Sequence, residues 1–505
     1  MEVRTRFAPS PTGYMHIGNL RTALFAFLFA KHHNGKFILR IEDTDQKRYV
    51  EGATEVIYNT LKIAHLNHDE GPDIGGNYGP YVQSERKEIY QKYAKMLVES
   101  GHAYYCFCDP DEKEEQGFGY NRHCRNLSKE EIEKNLSEGK PYVIRQKVPL
   151  SGTTTFVDEV YGTITVENES LDDQVLLKRD GLPTYNFANV VDDHLMNITH
   201  VIRGKEYISS TPKYQLLYEA FGWEPPKTIH LSTIMGRNED GSVSKLSKRH
   251  GSVSFNNLLE EGYLSDAIVN YISLLGWNPK SEQEIFSLDE LIEHFDVDGI
   301  VKSDAIFDYK KLDWFNAQYI QKLDHETFKN ASMPYIKDLP KPIFDKWDFA
   351  STLAQSRINK FSDIVPLFAF LSDFKVDTSL FENKKNKLDK LQSRDILVKI
   401  FPLLASTEFE VENLNTLLAK YAEHKEMKIG KLMWPVRIAV TAHTVTPGGA
   451  GEMLYLLGKE ESLKRIQASI DALNIDLGEP LIDMEEQPID EDEIELIKYL
   501  SKDTK

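Results

Sequence analysis

Residues 3–45 read VRTRFAPSPTGYMHIGNLRTALFAFLFAKHHNGKFILRIEDTD, and this stretch decides the fold. Residues 3–8 form a short β-prone run, broken by Pro9, Pro11 and Gly13. From Ile17 onward Leu20, Ala23, Leu24, Phe27 and Leu28 recur at the spacing of an α-helix. Asn34-Gly35 closes that helix, and residues 37–41 read as a second strand. Such a β-α-β unit implies a parallel sheet, with a ligand site outside the C-terminal ends of its strands. At the join, Gly13 and Gly18 let backbone and ligand approach closely. The helix start offers unpaired N–H groups and a positive dipole end, which suit a phosphate. His16 sits at that mouth, where its imidazole could bond a phosphoryl oxygen. Taken alone, His16-Ile17-Gly18 reads equally as a plain β-α turn with a surface histidine.

Outward from this unit the pattern changes. Residues 85–100 read as a helix that leads into a cysteine cluster. A charged helix is expected near residues 129–137, with strands at 143–148, 153–157 and 163–166. This mixed segment reads as an insertion, because β-α punctuation resumes afterwards. Residues 200–203 read as a strand, Thr211-Pro212 as a helix start, Gly222 as its stop, and residues 230–235 as another strand. From about residue 250 helices dominate. Residues 264–275 form an amphipathic segment ended by Gly276, and the prolines at 334, 340 and 342 mark a linker or a helix-helix joint. The remainder is helical by pattern, with Gly and Pro concentrated at residues 447–451.

The chain has 505 residues, which suggests three or four domains. It is 41% hydrophobic and 28% charged, a globular composition that excludes wholesale disorder. It contains no run of 18 apolar residues, so no membrane span is expected. Charges in the opening residues argue against a secretory signal, and three cysteines argue for a reducing cytoplasm rather than a disulfide-built fold. The net charge of −19 argues against nucleic acid only until it is dissected. Residues 476–495 hold ten acidic side chains and no Lys or Arg, and read as a solvated surface helix and linker. A polyanion senses the local face within a Debye length of ~8–10 Å. Local basic stretches exist, such as Lys384, Lys385, Lys387, Lys390, Arg394 and Lys399.

Two further clusters could carry chemistry. Lys245-Leu246-Ser247-Lys248-Arg249 lies in a polar, glycine-containing loop after a strand. Three cations in five residues can fold over a triphosphate and neutralise charge growing on it, although alone they also fit a basic surface loop. Cys106, Cys108 and Cys124 fall within 19 residues, a loop spacing that suits tetrahedral zinc or three free buried thiols.

His16-Ile17-Gly18 and Lys245-Leu246-Ser247-Lys248-Arg249 resemble the HIGH and KMSKS signatures of class I aminoacyl-tRNA synthetases. The stretches at 6–13, 40–45, 183–194 and 201–204, and 431–439 near the C-terminus, resemble the bacterial-type glutamyl-tRNA synthetases. Asn19 stands at the fourth HIGH position and Leu246 replaces a methionine. The glutamyl branch is similar in carrying small residues at the first of these, and the second is a volume-conserving swap.

The resemblance implies an α/β fold: a Rossmann-like parallel-sheet catalytic domain at 1–84 and 181–242, with an α+β acceptor-stem-binding insertion at 85–180. It implies a stem-contact domain carrying the signature loop at 243–328 and an all-α anticodon-binding region at 329–505. It implies a ligase that joins L-glutamate to ATP as glutamyl-adenylate and passes it to the 3′ end of the glutamate tRNA in protein biosynthesis. The matched catalytic residues are His16, Gly18, Lys245, Ser247, Lys248 and Arg249, and those for ATP are Pro9, Thr12, Gly13, His16, Gly18 and Lys248. Glutamate is matched to Arg6, Ser10, Glu42, Tyr185, Asn189 and Arg203. An arginine fork fits a carboxylate and not an amide, and Glu42 suits the substrate ammonium. Magnesium is expected on ATP. Zinc is implied at Cys106, Cys108 and Cys124, with Tyr120 by resemblance or His123 by ligand chemistry as the fourth ligand. Arg357 is a candidate for reading an anticodon base. A cytoplasmic monomer is expected.

Related readings are separable. A shortened glutamyl-queuosine synthetase would lack the last 175 or so residues. A glutaminyl-tRNA synthetase carries C-terminal β-barrels where helices are expected here. A non-catalytic RNA-binding relative would be expected to lose His16 or Lys248, and a nucleotidyltransferase would be much shorter.

Overall fold

The computed structural model describes residues 2–108, 120–372, 374–484 and 494. The chain divides into two compact units, Met1–Phe315 and Asn316–Lys505. Among the described residues no helix is long and apolar enough to cross a membrane.

The first unit opens with β1 (Arg4–Phe7), α1 (Ile17–His32) and β2 (Lys36–Leu39). β1 and β2 pair in parallel, Arg4 opposite Lys36 and Phe7 opposite Leu39, which is the β-α-β unit read from the sequence. Every residue of α1 from 23 to 30 is buried. A helix apolar on all sides is a core helix, and this one anchors the cluster that includes Phe37, Ile229, Ile268 and Phe295. Then come α2 (Ala53–Ile63), α3 (Lys87–Glu99), β3 (Ala103–Cys106), α4 (Lys129–Ser137), β4 (Val143–Gln146), β5 (Thr153–Asp158), β6 (Gly162–Glu167) and β7 (Val175–Leu177). They are followed by α5 (Tyr185–Leu195), β8 (His200–Gly204), α6 (Thr211–Phe221), β9 (Lys227–Leu231), β10 (Ile234–Arg237) and β11 (Val243–Lys245).

β3, β4 and β7 form one antiparallel sheet. The β5-β6 hairpin joins a second sheet of order β6-β5-β9-β8 through a parallel pairing of Asp158 with Thr228. β8 and β9 are parallel, with Arg203 opposite His230. β1 lies beside β8, where the Thr199 N–H donates to Arg4 O at 2.9 Å. The parallel strands β1, β2, β8 and β9 therefore end on one side, the side on which a ligand is expected.

Three local expectations need correction. The strand read at 230–235 is the end of β9 and the start of β10. Ser232 and Thr233 leave the ladder between them, and the Thr233 N–H is taken by Asp304 Oδ1 at 2.9 Å. The start of α6 moves by one residue: Ser210 is the cap, and Pro212 sits early in the first turn, where its missing N–H is tolerated. Arg357, read as helical, lies beyond the end of the helix Trp347–Gln355, in the turn in which its N–H donates to Ala354 O at 2.8 Å.

The second unit is built of helices, among them His325–Ser332, Trp347–Gln355, Lys390–Ser406, Val411–His424, Ile429–Thr441, Ala450–Leu457 and Lys459–Leu477. The proline-marked joint resolves into helix His325–Ser332, a 3-10 turn Met333–Tyr335 and the short helix Lys341–Phe344. The Gly/Pro cluster at 447–451 falls where one helix gives way to the next. Leu397, Leu418, Val436, Leu454 and Ile470 fill this unit's core. Buried Arg465 ties its helices together, donating to Val440 O at 2.9 Å and Leu371 O at 2.6 Å. The acidic stretch read as a solvated surface helix and linker lies outside the described residues from 485 to 493 and at 495. Its first member, Asp476, pairs with Lys390 at 2.6 Å.

Candidate active site

A cavity of about 360 Å³ opens at the C-terminal ends of these parallel strands. Its walls include Arg6, Pro9, Ser10, Thr12, His16, Gly18, Tyr185, Arg203 and Lys245. The structure thus brings residues from six separate segments, within 6–22, at 48 and 185, and at 202–207, 232–234 and 245–246, onto one space. A side pocket of about 230 Å³ carries Glu42 and shares Ser10, Thr12 and Tyr185 with it. Asn189 lines a further cavity behind Arg203, and its amide is turned to Tyr185 O at 3.0 Å. Gly13 stands in the turn, outside the cavity wall; its φ of +124° is a conformation that favours glycine.

The cavity's charge is one-sided. Arg6, Arg21, Arg48, Arg203 and Lys245 line it, against the single carboxylate of Glu206. Arg6 and Arg203 are buried, each held from behind. Arg6 donates to both oxygens of Asp193, at 3.2 and 3.3 Å. Asp193 also accepts from Arg40 at 2.8 Å, and Arg40 donates to Glu42 Oε1 at 3.0 Å. Burial pulls the Arg6 guanidinium down, but the Asp193 carboxylate outweighs it and keeps it charged. Arg203 donates to His230 Nε2 at 3.3 Å and to Thr211 Oγ1 at 3.2 Å. Arg21 is buried with no carboxylate at ion-pair distance among the described residues. It donates to the carbonyls of Leu275, at 2.9 Å, and Ser232. Burial pulls its guanidinium down to about 10, which leaves it a charged wall residue at neutral pH.

Glu42 is the complementary group. It is buried, and its Oε2 has no hydrogen-bond partner among the described residues. Burial pushes its carboxyl up to about 7 against the opposing pull of Arg40 and Arg6. An unpartnered carboxylate oxygen costs on the order of 1–3 kcal/mol or more, which a bound ammonium would relieve.

At the mouth of α1, His16 is the N-cap, and its Nδ1 accepts from the Gly18 N–H at 3.0 Å. With Nδ1 used as an acceptor, the neutral ring must carry its proton on Nε2. Burial, opposed by a hydrogen bond to the Leu246 backbone, holds its pKa below the usual imidazole value, and the Lys245 charge adds to this. His16 thus already touches the loop from 245 onward. A Cβ at Gly18 would lie 3.3 Å from His16 Nδ1, so glycine leaves this end of the helix open.

Not all of that loop reaches the cavity. Lys245 and Leu246 line it, whereas Ser247, Lys248 and Arg249 do not. Ser247 starts the 3-10 turn Lys248–His250, and its N–H donates to His250 Nδ1 at 3.1 Å. Arg249 donates to Ser244 Oγ at 2.6 Å, and Lys248 is exposed.

The sulfurs of Cys106, Cys108 and Cys124 all lie within 4.8 Å of one another. The Tyr120 hydroxyl joins them, 3.2 Å from Cys106 Sγ and 3.7 Å from Cys108 Sγ. His123 is exposed and stands outside the group. In the second unit Arg357 is exposed. A groove of about 570 Å³ there is lined by Asn383, Lys385, Asn386, Trp434 and Arg437, among others.

Reading the sequence missed Arg21, Asp193 and the buried pair Asp158 and His230. Arg21 had a signal: a cation inside an otherwise apolar helical run. The others had none, because what matters about them is a partner 27 to 187 residues away.

Comparison with known proteins shows the family. Residues 2–314 match the catalytic domain of class I tRNA synthetases (E and Q), and residues 309–470 match an anticodon binding domain. The chain is 53% identical to a glutamate–tRNA ligase of Clostridium novyi (strain NT), over 94% of this chain and 98% of that one. It is 52% identical to one of Clostridium botulinum (strain Eklund 17B / Type B), over 94% and 99%. The crystal structure of a glutamate tRNA ligase from Elizabethkingia meningosepticum, in complex with its amino acid, superposes with a TM-score of 0.80 at 36% identity, covering 94% of this chain and all of that one.

Proposed function

Because the chain belongs to the glutamate–tRNA ligase family of class I tRNA synthetases, we propose that it attaches L-glutamate to the 3′ end of tRNA in protein biosynthesis. ATP is its co-substrate, carrying magnesium. The glutamate α-carboxylate attacks the α-phosphorus, the bond to the pyrophosphate oxygen breaks, and glutamyl-adenylate forms. A hydroxyl of the terminal adenosine of tRNA then attacks the acyl carbon, its proton is lost, and AMP leaves. The attacking carboxylate is already ionised, so the first step needs no general base. Positioning and electrostatics carry the rate.

The observation that carries this reading is the one-sided cavity of about 360 Å³, which His16 and Lys245 line together with Arg6 and Arg203. The triphosphate lies at the α1 mouth, where Lys245 faces its oxygens and the His16 Nε2–H passes to them from the Leu246 backbone. Lys248 and Arg249 join when the loop closes over the phosphates. Arg6 and Arg203 take the side-chain carboxylate, with Tyr185 and Ser10 beside the substrate, Asn189 behind Arg203, and Glu42 on its ammonium.

Three thiols and a phenol converging within a few ångströms fit a tetrahedral zinc ion. Burial pushes the Cys108 thiol up to about 12, and a divalent cation would hold it as thiolate. Cys106, Cys108, Cys124 and Tyr120 would be the ligands, in the segment that meets the acceptor stem. In the second unit, Arg357 and the groove carrying Trp434 and Arg437 offer the stacking and fork-shaped donors that read unpaired bases. The enzyme works as a cytoplasmic monomer.

The test is aminoacylation of purified glutamate and glutamine tRNAs with radiolabelled glutamate, with radiolabelled glutamine as control. Glutamate on the glutamate tRNA supports the reading, and label on neither tRNA overturns it.

A further inference from the structure

Resting on that reading, we infer that His230, oriented by Asp158, is the positioning residue that aims Arg203 and thereby selects a carboxylate-bearing amino acid. The two strands that carry the pair place it. Arg203 on β8 is the register partner of His230 on β9, and Asp158 ends β5, the next strand of the same sheet. His230 is 0% and Asp158 1% exposed, so neither touches substrate and both act through Arg203.

The hydrogen bonds allow one arrangement. Asp158 Oδ1 accepts from the N–H groups of Val160 and Tyr161, at 3.0 and 2.8 Å. Its Oδ2 accepts from the His230 N–H at 3.2 Å and lies 2.6 Å from His230 Nδ1. Three backbone N–H donors on one carboxylate favour its ionised, acceptor-only form. Burial would raise its pKa, but His230 and the backbone donors hold it below the usual carboxylate value. His230 Nδ1 must therefore be the donor. Burial keeps the ring neutral. A neutral ring with its proton on Nδ1 presents a lone pair on Nε2, and this accepts from Arg203 Nε at 3.3 Å. Thr211 Oγ1 takes Nη2 at 3.2 Å, itself fixed by donating to Tyr207 O at 2.8 Å. Two of the three guanidinium nitrogens are thus tied down, and Nη1 is left without a partner among the described residues, in a side chain that lines the cavity.

This matters because Arg203 lacks what Arg6 has. Arg6 is gripped by a carboxylate, whereas no carboxylate lies within ion-pair distance of Arg203 among the described residues. A neutral acceptor fixes the direction of Arg203 without neutralising its charge, so that charge remains available to the ligand. An acidic side chain at 230 would consume it.

The experiment measures glutamate-dependent ATP–pyrophosphate exchange on the full-length enzyme with its tRNA present, for wild type, H230A and H230Q, with melting temperatures to check folding. In H230A the glutamate KM should rise about tenfold or more, the ATP KM should stay within about twofold, and preference for glutamate over glutamine should fall in step. H230Q, whose amide can donate to Asp158 and accept from Arg203, should recover part of the loss. An unmoved glutamate KM in folded H230A overturns the assignment. So do parallel rises in both KM values, or an H230Q variant that folds yet is no better than H230A. Wild-type enzyme without any glutamate-dependent exchange would instead count against the functional reading itself.

Discussion

Glu42 shows how a single residue turns burial into a measurable property. Its carboxyl sits near a pKa of about 7, and its Oε2 is unpartnered among the described residues. Below that pH the carboxyl is protonated and cannot pair with the substrate ammonium; above it the carboxylate can. The glutamate KM should therefore fall as pH rises from about 6 to 8. Glu42→Gln should flatten this dependence and raise the KM about tenfold. A glutamate KM equally pH-dependent in both forms would remove Glu42 from the ammonium site. At this scale the sequence was informative on which residues line the cavity. Arg6, Ser10, Glu42, Tyr185 and Arg203 all line the joined cavities. It was silent on what holds them. Asp193 bonds Arg6 across 187 positions, and no local pattern encodes that distance.

His16 is two things at once, the N-cap of α1 and a cavity wall. The two roles separate by substitution. His16→Asn keeps a capping side chain, so its melting temperature should stay close to wild type. Its adenylation rate should fall by roughly 100-fold or more with the lost donor. His16→Ala should lose the rate and also ~1 kcal/mol of stability. A His16→Asn variant with full adenylation would make this histidine a cap and nothing more. The segment carrying the cysteines makes a second prediction. One zinc per chain is expected by elemental analysis, lost in Cys106→Ser and retained in His123→Ala. Equal loss in both, or no metal in the wild type, would contradict the Tyr120 ligand set. Elements were legible where period and punctuation agree, as in β1, α1 and β2. Residues 230–235 were misread because apolar character continues across Ser232 and Thr233 while the backbone leaves the ladder for Asp304.

Across the whole molecule, the net charge of −19 describes the chain and not its working surface. The cavity wall is cationic, and much of the excess negative charge is gathered beyond residue 475. The first unit holds the matched catalytic domain, and the second, helical among the described residues, carries Arg357 and the Trp434 groove. Arg357→Ala in the full chain should raise the KM for tRNA about tenfold and leave the glutamate KM unchanged, measured by steady-state aminoacylation. An unchanged tRNA KM would remove Arg357 from recognition. The class of each unit was legible, because a parallel α/β site and a helical continuation differ in period and in punctuation. The convergence of six segments on one cavity was legible only through resemblance, since period and spacing say nothing of which loops meet. The proposed function stands on that convergence. The most direct measurement of it is a crystal structure with a non-hydrolysable analogue of glutamyl-adenylate bound. The phosphoryl oxygens should lie at His16 and Lys245, and the side-chain carboxylate in the grip of Arg6 and Arg203. An analogue seated elsewhere, or with its carboxylate turned away from both arginines, would contradict it.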